Sequence, residues 1–242
     1  MPCRKFSGKT DIGLKRKNNE DAFFISPDQY FCLVADGVGG AAAGELASKI
    51  FIESTIETFT GNSDRSGKEI KYRVQKAFRL ANDNMLMHVT QNPDHKRMGC
   101  TAELLAFSDE SFIIGHIGDS RTYCLRNRQL EQLTQDHTLV QQQLVAGLIT
   151  RDKIKQHPLR NVIFRSIGLT KEPELDLLKG KACPEDLFLL CSDGLTDMVP
   201  DDQIRNILCS GIDIHRKVEE LIETAKLAGG RDNITVVLAS VY

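Results

Sequence analysis

The spacing of apolar positions changes several times along the chain. From about Lys5 to Val34, short apolar runs between turn residues predict short strands. From Ala42 to Phe59, Ala43, Ala47, Ile50 and Phe51 recur at helical spacing, and the polar stretch GNSDRSG at 61–67 ends the pattern. A second helix is predicted over about Lys68 to Gln91, with Ile70, Val74, Ala77, Ala81 and Met85 on one face. Strand signals then dominate: CTAELLAF and SFIIGHIGDS flank a turn at SDE, and RTYCLR and QLEQL flank NR. Residues 138–160 turn helical and polar and interrupt the strands. After LFLLCSDG come helical stretches at 201–209 and 214–228, a GG pair at 229–230 suited to a helix C-terminal cap, and a last strand, NITVVLASV.

Helix pairs therefore precede and follow a block of strands, with no regular β-α-β alternation. That order predicts an α+β fold in which helices cover antiparallel sheets, and the number of strands also admits a sheet-on-sheet core. No repeat, low-complexity tract or linker divides the chain, so residues 1–242 read as one domain, a length that buries a substantial core.

Composition narrows the function classes. With 41% hydrophobic and 26% charged residues the chain reads as an ordinary soluble protein, and a net charge of -2 gives no reason to expect nucleic acid or an anionic membrane as partner. The start, MPCRKFSGKT, lacks the apolar stretch of a secretory signal, and no apolar run approaches the roughly 18 residues of a membrane span. The seven cysteines form no C-x-x-C pair, and several sit in apolar runs, as buried free thiols of a reducing cytoplasm would.

The chemistry concentrates where strands stop. YFCLVADGVGG (30–40) and LFLLCSDGLTD (187–197) are both apolar runs that end in Asp-Gly, and further acidic residues sit at other element ends: Glu20 and Asp21 in RKNNEDAF, Asp119 in HIGDSR, Asp197, and Asp232 in GGRDNITVV. One Asp-Gly step is usually a turn. If several of these carboxylates converge, however, like charges cannot all stay ionised without a cation, and hard oxygen ligands favour Mg²⁺ or Mn²⁺. Gly37, having no side chain, would let its carbonyl come close to a metal.

Taken in order, TDIGLKRKNNEDAF, VADGVGGAAAGELAS, GCTA, IGDSR, LTQDHTLVQQQLVAGLI, HPLRNVIFRSIG, LLCSDGLTD and GGRDNITVVL carry a resemblance that runs from about Thr10 to Val241. The chain resembles the metal-dependent serine/threonine protein phosphatases of type 2C (PPM) in their compact bacterial form. The resemblance implies a four-layer α-β-β-α sandwich, two antiparallel β-sheets flanked by helix pairs, with a small flap at about 138–160 associated with substrate choice. It implies a hydrolase of phosphoserine and phosphothreonine in proteins, acting in signal transduction through water activated by two Mn²⁺ or Mg²⁺ ions roughly 3.5–4 Å apart. Its partners would be phosphorylated proteins, among them a serine/threonine kinase and its substrates, and it would be a cytoplasmic monomer.

Residue by residue, the resemblance implies that Asp36 bridges the two metals and the Gly37 carbonyl binds one of them. Asp193 and Asp232 would hold the first metal with Asp36, Glu20 would hold the second, and Asp21 would orient metal-bound waters. Asp119 resembles a ligand of a weaker third metal to which Asp193 and Asp197 contribute. Asn233 would support Asp232 by a hydrogen bond, and Thr101 would pack behind the ligands. Arg16, flanked by Lys15 and Lys17, matches the family's phosphate-binding arginine, whose planar fork suits two phosphate oxygens. Where many eukaryotic members carry a candidate acid histidine the chain has Val38, and it has Ala41 where bacterial relatives often carry histidine, so no general acid is assigned. The six histidines read as structural or surface residues, with His137 in QDHT the first candidate for an exception.

Two rival readings fit the residues less well. Gly37, Gly39 and Ala42 nearly spell a dinucleotide fingerprint, but an aspartate precedes the first glycine and no second strand follows for some 60 residues. A catalytically silent, phosphatase-like scaffold that binds phosphoproteins would be expected to lack metal ligands, and this chain keeps them.

Overall fold

The computed structural model describes residues 3–39, 41–61, 64–108, 111–154 and 156–242. Parts of the turns predicted at 61–67 and 108–110, Lys155 in the 138–160 segment and the Ala41 and Ala42 side chains lie outside that description.

Three strands open the chain: β1 (Arg4–Asp11), β2 (Asp21–Ile25) and β3 (Phe31–Val38). Two long helices follow, α1 (Ala41–Phe59) and α2 (Gly67–Gln91). The start of α2 is fixed by Ser66, whose hydroxyl accepts from the Glu69 N–H. Then come β4 (Gly99–Phe107), β5 (Ser111–Ile117), β6 (Arg121–Arg126) and β7 (Gln129–Gln132). The polar interruption holds two short helices, α3 (Leu139–Val145) and α4 (Arg151–Ile154). The remainder is β8 (Asp176–Lys181), β9 (Leu187–Cys191), α5 (Asp193–Thr196), α6 (Asp201–Leu208), α7 (Ile214–Leu227) and β10 (Ile234–Val241). Strand β8 and the short helix α5 are the elements that the apolar pattern did not announce. β8 is a half-exposed edge strand, DLLKGK, with too little alternation to stand out.

Among the described residues the strands form two five-stranded antiparallel sheets, ordered β1-β10-β9-β6-β7 and β2-β3-β4-β5-β8. Because side chains alternate across a strand, each strand serves two cores. Leu33 and Ala35 of β3, with Ala102 and Leu104 of β4, face α1 and α2. Leu189 and Cys191 of β9, with Val236 and Leu238 of β10, face α6 and α7. The opposite parity, Cys32, Val34, Leu105, Phe188, Leu190, Val237 and Ala239, fills the space between the sheets. There Phe188 meets Phe107 and Phe112 edge-on, with ring centroids 5.6 and 4.9 Å apart, each pair adding about 0.5–1.5 kcal/mol beyond its buried area. The result is the expected α-β-β-α layering. Its parity also places the site, since Asp36 continues the series Cys32, Val34 and therefore projects into the crevice between the sheets.

Candidate active site

One wall is a row across the second sheet. In register, Asp21 of β2 lies opposite Asp36 of β3, and Asp36 lies opposite Thr101 of β4. Glu20, just before β2, is held through its backbone: the Gly37 N–H donates to its carbonyl (3.2 Å), as does the Ser48 hydroxyl of α1. Here α1 crosses the end of β3 with no room for side chains. A Cβ on Gly37 would lie 2.1 Å from the Gly44 carbonyl oxygen, and one on Gly44 would lie 2.0 Å from Glu20 Oε2. Gly37 was expected to be a glycine for a metal's sake; in the fold the crossing helix already requires it.

The other wall comes from the first sheet. Ser192, which follows β9, and Thr235 of β10 both donate to Asp21 Oδ2 at 2.7 Å, so the Asp21 carboxylate ties the two sheets together. Asp193 follows Ser192 at the start of α5. The loop before β10 delivers Asp232 and Asn233. The Asn233 side chain accepts from the Glu20 N–H (2.8 Å) and donates to the carbonyls of Ile12 and Asn18 (3.0 Å each). Asn233 was expected to support Asp232; its backbone N–H does bond Asp232 Oδ1 at 2.8 Å, whereas its side chain pins the segment that presents Glu20. Arg16 Nη2 pairs with Asp232 Oδ2 at 2.6 Å, and that bond raises the Arg16 pKa.

The β5–β6 turn brings in Asp119. Gly118 (φ +112) takes a conformation suited to glycine and leaves no space for a Cβ, which would fall 2.4 Å from Thr101 Cβ. Beyond Asp119, the Ser120 hydroxyl bonds Thr101 Oγ1 at 2.6 Å, so Thr101 serves the Asp119 turn as well as facing Asp36.

Glu20, Asp36, Gly37, Thr101, Asp119, Asp193, Asp232 and Asn233 thus line one cavity of about 290 Å³, with Arg16 and Val38 at its edge and Asn161 and Ile163 closing it from the polar segment. A broader cleft of about 740 Å³ shares Asp119, Asn161 and Asp193 with it and contains Asp197, which stands 3.9 Å from Arg160. Sequence reasoning had no signal for Ser192, Thr235, Gly44, Asn161 or Ile163. Lys15 and Lys17 are exposed and line neither space.

The cavity is electrostatically strained toward cation uptake. Burial and then the charges of Asp21, Asp193 and Asp119 push the Asp36 carboxyl well above its ordinary range. Burial, with Asp119, Asp197 and Asp232 nearby, does the same to Asp193. Burial raises Asp21 to about 6 and Asp119 to about 7, and it also raises Glu20 and Asp197 against the opposing charges of Arg16 and Arg160. Asp21 Oδ1, Asp119 Oδ1 and Asp193 Oδ1 are buried without a hydrogen-bond partner. Among the described residues no three Asp, Glu, His or Cys side chains close into a ready ligand cage. Unpartnered hard oxygens around a common space fit small divalent cations, which would replace the missing partners and relieve the repulsion.

No histidine lines this cavity among the described residues. His137 is buried behind the Asp119 turn, accepting the Gly118 N–H at Nδ1 (3.0 Å), and burial lowers its pKa to about 4. All seven cysteines carry free thiols; Cys32, Cys100, Cys124 and Cys191 are buried.

Comparison with known proteins agrees with this geometry. The protein phosphatase 2C family matches residues 14–235. The serine/threonine phosphatase Stp of Listeria monocytogenes is 34% identical over 95% of this chain and 93% of its own length. The protein phosphatase PhpP of Streptococcus pneumoniae is 37% identical over 96% and 95%. The serine/threonine protein phosphatase PstP of Mycobacterium tuberculosis is 37% identical over 98% of this chain, which spans only 45% of PstP. A PstP/Ppp crystal structure superposes with a TM-score of 0.92 at 35% identity, covering 99% of each chain. A PstP catalytic domain solved in complex with two manganese ions gives 0.89 at 34% identity, covering 100% of this chain and 99% of that one. The chain belongs to the protein phosphatase 2C family of metal-dependent serine/threonine protein phosphatases.

Proposed function

We propose that this chain removes phosphate from phosphoserine and phosphothreonine in proteins, using two Mn²⁺ or Mg²⁺ ions, and that it works as a cytoplasmic monomer on proteins phosphorylated by a serine/threonine kinase of the same cell. The observation that carries the reading is the meeting of Glu20, Asp36, Asp193 and Asp232, from both sheets, on one cavity with unpartnered carboxylate oxygens. Among the described residues no helix is long and apolar enough to cross a membrane.

In this reading Asp36, Asp193 and Asp232 would hold one cation, and Asp36, Glu20 and the Gly37 carbonyl would hold the other. Asp119, with Asp193 and Asp197, offers a third, weaker site at the junction of the two cavities. Bound there, the cations supply an activated water nucleophile and offset the negative charge of the phosphoryl group. The chain's own side chains do the rest. Arg16, half-exposed at the rim, can turn from Asp232 to the phosphate and hold two of its oxygens with its fork. Asp21, anchored by Ser192 and Thr235 and opposite Asp36 in register, keeps a buried, unpartnered Oδ1 that would order water held by the cations. With Val38 at the rim and no imidazole in the lining among the described residues, the leaving alkoxide would take its proton from solvent.

The test is phosphate release from a phosphothreonine peptide by the purified protein. Release is expected with Mn²⁺ or Mg²⁺ and is expected to vanish in excess chelator. Release independent of metal, or none with metal present, overturns the reading.

A further inference from the structure

Asp119 sits on a turn that makes no strand pairing of its own, yet both backbone polar groups of its neighbour Gly118 are taken by a single distant residue. The Gly118 N–H donates to His137 Nδ1 (3.0 Å), and the His137 N–H donates to the Gly118 carbonyl (2.7 Å). Since Nδ1 accepts, the neutral imidazole carries its hydrogen on Nε2, which faces Asp176 Oδ2 at 3.3 Å and lies 3.2 Å from Arg165 Nη1. Asp176 is held in turn by Arg165 Nη1 (3.1 Å). The ring itself is buried, 4.5 Å from the ring centre of His116 and 6.0 Å from that of Phe164.

His137 is also where the polar segment joins the sandwich. Its carbonyl accepts the Phe164 N–H (3.0 Å), Leu139 N–H donates to the Val162 carbonyl (2.9 Å), and Thr138 bridges Ile163. The two ends of the 138–163 excursion are thus laced together at one residue, and that residue grips the Asp119 turn. On the far side of Asp119 the turn is held by the Ser120–Thr101 bond. Asp119 therefore hangs between two fixed points, one of them shared with the base of the segment that places Asn161 and Ile163 in the cavity.

We propose that His137 is a positioning residue: through its Nδ1 bond to Gly118 it fixes the Asp119 carboxylate for a divalent cation and couples that cation to the base of the 138–163 segment. The inference rests on the reading of Asp119 as a cation ligand given above. The imidazole itself stays outside the cavity and touches neither cation nor substrate. Two near-isosteric variants separate positioning from packing. In His137→Asn the amide oxygen stands close to the place of Nδ1 and can accept from Gly118, while the Asp176 contact is lost. In His137→Gln the longer amide reaches toward Asp176 and leaves Gly118 without its acceptor.

The experiment is a titration of the full chain with Mn²⁺ alone, counting free Mn²⁺ by electron paramagnetic resonance, for the native protein, both variants and Asp119→Asn. Three Mn²⁺ equivalents are expected for the native chain, the weakest of them missing in Asp119→Asn. His137→Gln is expected to weaken that equivalent about five- to tenfold, the equilibrium cost of one buried hydrogen bond, and to leave the two tighter equivalents unchanged. His137→Asn is expected to keep it within about twofold. If Asp119→Asn loses the weak equivalent while His137→Gln keeps native affinity, or if Gln and Asn weaken all equivalents alike, the positioning role of His137 is overturned and the reading of Asp119 stands. If Asp119→Asn binds as the native chain does, the reading of Asp119 falls and the inference with it.

Discussion

Asp193 shows at the scale of one residue how this site trades stability for chemistry. Its Oδ1 is buried and unpartnered, and its carboxyl is held well above the ordinary range by burial and by Asp119, Asp197 and Asp232. Each unit of such a shift corresponds to about 1.4 kcal/mol of disfavour for the ionised form. Asp193→Asn removes the charge but keeps the shape. With chelator present the variant is therefore expected to melt higher than the native protein by a few degrees, since about 1 kcal/mol moves the midpoint roughly 2–4 °C in a chain of this size. Its phosphatase turnover is expected to fall by about two orders of magnitude or more, beyond the loss typical of residues that merely support a ligand. A thermal melt in chelator and an assay with Mn²⁺ check both halves. A variant that melts lower than native, or one that keeps near-native turnover, contradicts the role assigned to Asp193.

At the scale of elements, the decisive contact is the crossing of α1 over the end of β3. Glycine inside a helix costs about 1 kcal/mol relative to alanine, so Gly44 in the first turns of α1 needs a reason. The reason is Glu20, whose Oε2 occupies the place a Cβ would take. In Gly44→Ala that carboxylate must swing away, which a flexible side chain can do, and the Gly37 carbonyl carbon 3.1 Å from the new Cβ must give slightly, so the fold should persist with a melting temperature within a few degrees of native. Activity and Mn²⁺ affinity should drop about 10–100-fold, as for other residues that orient a ligand. Native activity in Gly44→Ala would show that Glu20 need not sit where it does. Contacts of this kind explain what could be read from the sequence and what could not. The helices α1, α2, α6 and α7 and the stop of β9 just before Asp193 were legible because each is local, a spacing of apolar residues or an Asp-Gly step; the same step at Asp36 does not end its strand, since β3 pairs with β4 as far as Val38. The partners of Asp21 were not, because Ser192 and Thr235 lie 171 and 214 residues away and meet it only through the sheet order. The role of the Asn233 side chain was missed for the same reason: motif matching placed it beside Asp232, its chain neighbour, while its amide reaches the Glu20 segment.

For the molecule as a whole, the cavity lies where two rigid sheets end side by side, and its carboxyl groups act on the stability of the entire sandwich. In chelator, Asp36 and Asp193 hold protons in the folded state at pH values where the unfolded chain has lost them. His116 works in the same direction: burial alone would lower it, but the charge and hydrogen bond of Glu103 carry it up to about 9, so its stabilising proton is lost only as pH rises from the ordinary histidine range through 9. Asp21, raised to about 6, loses most of its folded-state proton by neutral pH, whereas Asp119, raised to about 7, loses its own across neutral pH and adds to the slope there. His137 opposes them, because a folded pKa of about 4 makes the molecule more stable as pH rises from there through the unfolded value near 6.5, an opposing slope that fades over the next pH unit. Between pH 6.5 and 8.5 the folded state therefore binds more protons than the unfolded one, and stability must fall as pH rises, by about 1.4 kcal/mol per pH unit for each extra proton. The melting temperature in chelator is expected to drop several degrees across that window. Saturating Mn²⁺ is expected to flatten or invert the slope, because a cation that binds the ionised carboxylates displaces those protons and gains affinity as they leave. Parallel melts at four pH values, with chelator and with Mn²⁺, measure both slopes. A chelator curve that is flat or rises from pH 6.5 to 8.5 would mean that the carboxyl groups of the two sheets do not share one field, and the site assembled here would lose its physical basis.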